Sequence, residues 1–242
     1  MKKIESIKEL RKICQPEYKQ VKVNPFYRIY RRFFRIFSIY ITRFLIYLHV
    51  SANLVSILGL ILGIFGGVYF YLGKFLLGSI IMQLWFFMDT LDGELARYYY
   101  KKGKKNNYLV KGEFLDLNSH HLVHSLTFIG LSFGLYNLSN NLWMIYLGIS
   151  SLFALLLNEL IDLNRIKVLY SQKITYKRIN LKDYKKNIFK KILLIYTFPS
   201  IINIIFIASL FDFVNYLLYF YGITFPIIVL VKFVVNNFVK KW

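Results

Sequence analysis

The sequence has few acidic residues and only one cysteine. Of its 242 residues, 12 are Asp or Glu against 32 Lys or Arg, which gives a formal net charge of +20. Cys14 stands alone, which excludes an intrachain disulfide and a thiolate metal cluster. Charged residues of both signs make up 18% of the chain, below the ~25% of an ordinary soluble domain. With 57% hydrophobic residues, this composition disfavours a soluble fold.

The apolar residues occur in long blocks, each near the ~20 residues that an α-helix needs to cross a bilayer. Six such blocks run approximately over 53–72, 75–97, 112–134, 142–163, 192–210 and 213–235. We therefore predict an all-α polytopic membrane protein with six transmembrane helices. It would comprise a basic cytoplasmic N-terminus with an amphipathic juxtamembrane helix (1–51) and a six-helix membrane domain (52–242).

The amphipathic helix is predicted over residues 24–50, where five arginines alternate with many aromatic residues. At helical spacing the arginines fall roughly along one side and leave an apolar side to enter the headgroup region of the membrane. The residues expected on that apolar side are Phe33, Phe34, Phe37, Tyr40, Ile41 and Phe44. The alternative is a cytoplasmic helix that packs against the rest of the protein.

Lysine and arginine alternate between the connections that join the apolar blocks. Residues 1–51 hold 12 of them, residues 97–111 hold six and residues 165–191 hold ten, whereas the intervening connections hold almost none. Basic residues of multispanning proteins gather on the cytoplasmic side. The pattern predicts that both termini are cytoplasmic, and we expect the membrane to be the cytoplasmic membrane of a prokaryote. Because the charges flank apolar blocks, we expect them to meet anionic membrane lipids and not nucleic acid.

Five of the 12 acidic residues fall within 28 positions, around the ends of the second and third predicted spans. Ionisable groups within spans are costly and commonly mark function. Asp89 and Asp92 share one face of a helix, and Asp116 and His120 share one face of the next. A turn between the helices would bring three carboxylates and an imidazole around one pocket. Such ligands suit Mg²⁺ or Mn²⁺, and the imidazole shifts the preference toward Mn²⁺ or Zn²⁺.

Small residues and an arginine accompany the carboxylates. Gly93 would let a substrate lie against the helix, Ala96 leaves space, and Arg97 offers a cation suited to bidentate phosphate binding. With a metal to neutralise the charge and a base to activate a hydroxyl, these residues describe a site for a diphosphate substrate. The flanking Glu94 and Glu113 are interpreted as loop or interface charges.

This part of the sequence resembles the signature of the CDP-alcohol phosphatidyltransferase family. The pattern reads Asp89-x-x-Asp92-Gly93-x-x-Ala96-Arg97, followed by Gly112-x-x-x-Asp116. The segment 51–56, Ser-Ala-Asn-Leu-Val-Ser, is also similar to the family's entry into its first span.

The resemblance implies transfer of a phosphoalcohol group from a CDP-linked donor, lipid or soluble, to an alcohol acceptor with release of CMP. It implies that the three aspartates bind a divalent metal, Mg²⁺ or Mn²⁺. It also implies a nucleotide and diphosphate pocket lined by Gly93, Ala96, Arg97 and Gly112.

His120 is the main departure from the family's pattern. The family has an aspartate four residues after Asp116, usually assigned as general base and metal ligand, and this chain has histidine there. Histidine can fill either role, because its unperturbed pKa of about 6.5 suits proton abstraction near neutral pH. We therefore expect His120 to be a catalytic residue and a fourth metal ligand, although a metal-bound imidazole is a poorer base.

Two other functions compete with an active transferase. The first is a family-derived protein that binds CDP compounds or metal but turns over weakly or not at all because of His120. The second is a small metal or ion transporter, which is less favoured because the acidic residues gather at one membrane face and no later span carries a central charge.

Several further side chains carry secondary expectations. His124 continues the face of Asp116 and is a candidate for a substrate contact, while Glu159 and Asp162 would either pair with Arg165 or line the acceptor side. Glycines in the first predicted span, such as the pair at positions 59 and 63, would allow another helix to approach closely and make a homodimer reasonable.

Overall fold

The computed structural model describes residues 5–16, 25–103, 108–171 and 194–235. Within them the chain forms eight α-helices and a short 3-10 turn at Leu194–Tyr196. The helices are α1 Ile7–Cys14, α2 Pro25–Tyr47, α3 Ala52–Tyr71, α4 Phe75–Lys101, α5 Tyr108–Ser139, α6 Trp143–Ser171, α7 Phe198–Leu210 and α8 Val214–Val234. The all-α prediction is therefore confirmed for this part of the chain.

Four of these helices are long and apolar enough to cross a membrane. They are Ala52–Tyr71, Phe75–Lys101, Trp143–Val168 and Val214–Val234, which is consistent with an integral membrane protein. Helix α5 has 32 residues, about 48 Å at 1.5 Å per residue, but its polar side chains make it less apolar. Helix α7 is apolar and has 13 residues, fewer than the ~20 that span a bilayer. The count of six spans stays a prediction.

The residues divide into two compact units. The first unit comprises Met1–Gly66 and Ile80–Val123, and the second comprises Gly67–Ser79 and His124–Trp242. All four residues of the predicted metal site, on α4 and α5, belong to the first unit.

Helix α1 was not predicted, because the part of the basic N-terminus before residue 24 was assigned no helix. A capping box starts it: the Glu9 amide donates to Ser6 Oγ at 3.3 Å, and the Ser6 amide donates to the Glu9 carboxylate at 2.9 Å. This reciprocal pair satisfies two amides at the start of the helix that lack partners within it. The Ser-x-x-Glu pattern was therefore the local signal that could have revealed α1.

Helix α2 forms where the interfacial helix was predicted, and it has an apolar outer face and a polar inner face. Phe33, Phe37, Tyr40 and Phe44 are exposed, as expected of the apolar side. The buried face carries polar residues, namely Arg35, Ser38 and Thr42, together with Ile39 and Ile46. Polar groups turned inward and aromatic groups turned outward are typical of a helix that faces lipid. Its location at the membrane interface stays a prediction.

Two expectations for α2 need correction. Of the arginines whose side chains are described, Arg35 is buried and Arg43 is exposed, so the arginines do not all lie along one side of the helix. Phe34 is half-buried and its ring lies 5.3 Å from that of Phe87, so it packs within the protein and does not extend outward with its neighbours.

A fully buried carboxylate joins α1, α2 and α4, and it corrects the interpretation of Glu94 as a loop or interface charge. Glu94 accepts hydrogen bonds from Gln15 Nε2 at 2.8 Å, Ser38 Oγ at 2.7 Å and Thr42 Oγ1 at 2.7 Å. A buried charge is tolerated when it is fully hydrogen-bonded. These three helices, together with α3, also contribute to one apolar cluster: Leu10, Cys14, Ile39, Ile46, Val55, Leu91, Leu95 and Tyr98.

The glycines of α3 are used for packing within the chain. A Cβ at Gly63 would overlap with Val123, and a Cβ at Gly59 would lie 3.2 Å from the Cβ of Met88. The pair that suggested a homodimer therefore lets α4 and α5 approach α3 in the first unit.

In the second unit, polar pairs and small residues join the helices. Lys232 of α8 forms an ion pair with Asp162 at 2.8 Å and donates to Asn158 Oδ1 at 2.6 Å, both on α6. Asp162 thus pairs with a residue other than the Arg165 that the sequence suggested. A Cβ at Gly222 of α8 would lie 2.6 Å from Leu147 Cδ2 of α6.

Gly134→Ala tests the close helix contacts of the second unit. A methyl group at this position of α5 would overlap with the carbonyl oxygen of Phe70 at the end of α3. Overpacking of this kind costs about 1–3 kcal/mol or more, so we expect a clear fall of the thermal unfolding temperature in detergent. Asn137→Ala, at an exposed position of the same helix, is the matched control. Equal unfolding temperatures for the two variants would contradict the close contact.

Candidate functional site

Two helices of the first unit bring Asp89, Asp116 and His120 together. Asp89 lies on α4, whereas Asp116 and His120 lie one turn apart on α5. The His120 Nε2 atom is 3.1 Å from Asp89 Oδ1 and 3.2 Å from Asp116 Oδ1. One ligand atom from each residue lies within 4.8 Å of the others. This is the geometry of a small cation site with two carboxylates and one imidazole.

The three side chains lie partly open to the surroundings. Their exposed fractions are 25% for Asp89, 39% for Asp116 and 29% for His120. A site that does chemistry on a bound molecule needs such access, whereas a purely structural ion pair does not.

The Trp85 indole forms a wall beside His120. The two ring centroids are 5.1 Å apart in an edge-to-face arrangement, and Trp85 is buried. Trp85 also packs beside Gly63, where a Cβ would lie 3.2 Å from its Cδ1 atom. The indole therefore limits the orientations open to the imidazole. The sequence interpretation missed this residue, although it lies one turn before Asp89 on the same helix.

Asp92, the fourth predicted ligand, has a different partner. Its Oδ2 atom accepts a hydrogen bond from Ser56 Oγ at 2.6 Å, and the residue is buried. Ser56 also donates to the carbonyl oxygen of Ala52 at 3.2 Å, so it links the carboxylate to the first turn of α3. Ser56 was noticed in the sequence only as part of the entry segment 51–56.

Arg97 and Gly93 lie one turn apart on α4 and are close in space. The Arg97 Nε atom donates to the carbonyl oxygen of Cys14 at 2.5 Å. Its guanidinium lies back over Gly93, where a Cβ would be 3.1 Å from Nη1. Glycine at this position thus makes room for the Arg97 side chain, and a substrate contact at Gly93 stays a prediction.

Gly112, near the start of α5, allows a close approach of α3. A Cβ at Gly112 would lie 2.7 Å from Asn53 Oδ1, closer than such atoms normally come. Ala96 is half-buried, and the side chain of Glu113 lies outside the described part of the structure. Gly112 therefore brings the entry residues of α3 beside the beginning of the helix that carries Asp116.

His124, in the second unit, contacts Glu159 and Phe198. Its Nδ1 atom is 2.7 Å from Glu159 Oε1, and its ring centroid is 3.4 Å from that of Phe198. Glu159 therefore pairs with a histidine, an option that the sequence interpretation did not include. A substrate contact for His124 stays a prediction.

The donor atoms of the three-residue cluster fit a divalent cation. Mg²⁺ and Mn²⁺ prefer oxygen ligands, and imidazole is well accepted by Mn²⁺ and Zn²⁺. Two carboxylates would supply charge neutralisation, and the imidazole would supply a directed nitrogen ligand. The arrangement could thus hold a metal ion, and Arg97 lies further along α4 than Asp89.

A family model matches the chain. Residues 49–227 match the family described as CDP-alcohol phosphatidyltransferase, and this stretch contains the whole acidic pattern of α4 and α5. No curated protein matches the chain. Since the matched stretch spans most of the sequence and includes the clustered carboxylates, the chain belongs to the CDP-alcohol phosphatidyltransferase family.

Proposed function

We propose that the protein is a metal-dependent transferase that moves a phosphoalcohol group from a CDP-linked donor to an alcohol and releases CMP. Family membership supports transfer from a CDP-alcohol. The observation that carries the finer proposal is the convergence of Asp89, Asp116 and His120 on one point within the family's pattern. Its products would be phospholipids or related phosphodiesters.

We assign the metal to Asp89, Asp92, Asp116 and His120. The cluster of Asp89, Asp116 and His120 fits Mg²⁺ or Mn²⁺ by its donor atoms. Asp92 lies one turn from Asp89 and would join the set when its carboxylate leaves or shares the hydrogen bond of Ser56. When bound, the metal would neutralise the diphosphate and stabilise the departing CMP.

Residues of α4 and α5 would bind the nucleotide and its diphosphate. Arg97 offers a guanidinium whose fork matches phosphate oxygens. Gly93 and Ala96 give a face of α4 with little side-chain bulk, and Gly112 does the same at the start of α5. A diphosphate held along this face would present its phosphorus to an acceptor hydroxyl.

In the reaction, the oxygen of the acceptor hydroxyl forms a bond to the phosphorus that carries the alcohol. The bond from that phosphorus to the bridging oxygen breaks, CMP leaves with that oxygen, and the hydroxyl proton passes to a base. His120 is the candidate base at the position where the family has its last aspartate. Its Nε2 atom faces Asp89 and Asp116, where the metal would be bound. Because a nitrogen that binds a metal has no lone pair left to accept a proton, Nε2 cannot fill both roles at once.

We further propose that the enzyme lies in the cytoplasmic membrane of a prokaryote with both termini in the cytoplasm. Four helices able to span a bilayer support the membrane location, and the alternation of Lys and Arg between connections supports the cytoplasmic termini. The site would then open toward the cytoplasm, where a CDP-linked donor is available, while anionic lipids contact the basic segments.

One observation favours the alternative of a binding protein with little turnover. The Nε2 atom of His120 lies within hydrogen-bond range of both carboxylates, so an imidazolium would balance their charge without a metal. Such a protein would still fold and would still bind a CDP compound through Arg97. Turnover and binding must therefore be measured separately.

Asp89→Asn tests the transferase proposal. Purified protein is given CDP-linked lipids or soluble CDP-alcohols with a panel of alcohols, and CMP release and products are followed by mass spectrometry. We expect CMP release that requires Mg²⁺ or Mn²⁺ and falls about 100-fold or more in Asp89→Asn, because a metal ligand is lost. Asp212→Asn is the matched control, since Asp212 is exposed at a positive φ of 59° that asparagine also adopts. Binding of a CDP-linked lipid without CMP release would support the alternative.

Variants of His120 separate its two roles. We expect His120→Ala to abolish CMP release and His120→Asp to retain part of it, because aspartate restores the oxygen ligand and base of the family's pattern. Mn²⁺ affinity, measured by electron paramagnetic resonance, should fall in His120→Ala if the imidazole is a ligand. Unchanged Mn²⁺ affinity with lost turnover would assign it as the base alone, and full activity in His120→Ala would remove it from the mechanism.

A further inference from the structure

We propose that α1 contributes to binding of the CDP-linked donor. The segment Glu5–Gln15 holds Arg97 in position, and the docking of α1 on α4 sets the affinity for that donor. The inference rests on the proposed function, in which Arg97 binds the diphosphate. It makes Glu94 and Gln15 positioning residues, although neither would touch the substrate.

The side chain of Arg97, which is on α4, contacts the C-terminal end of α1. The carbonyl oxygen of Cys14, the last residue of that helix, accepts the Arg97 Nε hydrogen at 2.5 Å. Carbonyl groups in the last turn of a helix lack partners within it and carry partial negative charge, so a guanidinium is favoured there. With Gly93 beneath its Nη1 atom, the guanidinium is located between the end of α1 and the backbone of α4.

Glu94, which is also on α4, holds the same end of α1 through its hydrogen bond with Gln15. It lies three residues before Arg97 on α4 and takes its hydrogen bonds from α2 and from Gln15, the residue after α1. Gln15 Nε2 also lies 2.9 Å from the carbonyl oxygen of Arg35 and 3.3 Å from Ser38 Oγ. A buried carboxylate with three donors holds its partners strongly, because losing one donor leaves charge unsatisfied.

The other end of α1 is also held by α4. Glu5 accepts a hydrogen bond from Tyr98 Oη at 2.9 Å and forms an ion pair with Lys102. Between the two ends, Leu10 and Cys14 are fully buried in the apolar cluster. Helix α1 is thus attached along the last turns of α4, after the aspartates, which is why its loss should affect Arg97 more than the metal ligands.

The only cysteine of the chain gives a direct measure of this docking. Cys14 is fully buried, and burial, reinforced by the charge of Glu94, raises the pKa of its thiol to about 12. A thiol reacts as its thiolate, so a maleimide should label docked α1 very slowly. The labelling rate therefore reports how often α1 leaves α4.

Gln15→Ala is the main test, because it removes the hydrogen bonds to Glu94, Arg35 and Ser38 without touching Arg97. We expect Cys14 to be labelled about tenfold faster and the KM for the CDP-linked donor to rise about three- to tenfold, with kcat within about twofold, as for lost uniform binding. Lys12→Ala, on the exposed side of α1, is the matched control and should change neither rate nor KM.

A second pair of variants tests the same hydrogen bonds of Glu94 without shortening the Gln15 side chain. Thr42→Val keeps the shape of the side chain and removes the donor to Glu94, whereas Thr42→Ser keeps that donor. We expect Thr42→Val to show the same rise of labelling rate and KM, and Thr42→Ser to restore both toward the wild-type values. Thermal unfolding in the same detergent identifies any variant that has lost its fold.

The outcomes separate this inference from the proposed function. Faster labelling with unchanged KM would make α1 a purely structural element and overturn the inference, as would unchanged labelling and unchanged KM. If the wild-type protein releases no CMP with any donor, the proposed function fails, and the comparison is repeated on CDP binding by calorimetry. Weaker CDP binding in Gln15→Ala and Thr42→Val would then still support positioning of Arg97, whereas equal or absent binding would overturn it.

Discussion

The need to neutralise carboxylates among apolar helices organises the first unit. Four of its clustered acids have a specific partner in the described structure: Asp89 and Asp116 share an imidazole, Asp92 accepts a hydroxyl, and Glu94 accepts three donors. An ionised carboxylate without such a partner is costly in an apolar environment. These pairings join α1, α2, α3 and α5 to α4. Helix α4 is therefore both the structural centre of the unit and the element that carries the first part of the family's pattern, from Asp89 to Arg97.

The sequence predicted the long apolar helices well, because a run of about 20 apolar residues is a local signal. The predicted spans 53–72 and 213–235 correspond to Ala52–Tyr71 and Val214–Val234. Spacing of three and four residues also predicts which side chains share a face of a helix. It predicted that Asp116 and His120 share one face, and the structure has them in contact. Helical spacing does not predict which hydrogen-bond or ion-pair partner each polar side chain has.

Glu94 shows why the partners escaped prediction. Its donors lie 52 to 79 positions away in the chain, so nothing near Glu94 distinguishes a buried carboxylate from a surface one. Helix α1 escaped for a different reason: it has only eight residues and no apolar run. Such a helix is marginal alone and depends on tertiary packing. Its capping box was visible in the sequence, but its docking on α4 required the fold.

The type of partner distinguishes Glu94 from the acids that we propose as metal ligands. Glu94 is fully buried, and its neutral donors come from three side chains, so its carboxylate is fixed in one arrangement. Asp89 and Asp116 share one titratable nitrogen and remain partly exposed. An ionised carboxylate offers about four lone-pair positions, so sharing one imidazole leaves capacity for a cation. The same cost of burying charge therefore gives a fixed carboxylate at Glu94 and, five residues earlier on α4, a carboxylate at Asp89 that shares its partner with Asp116 of α5.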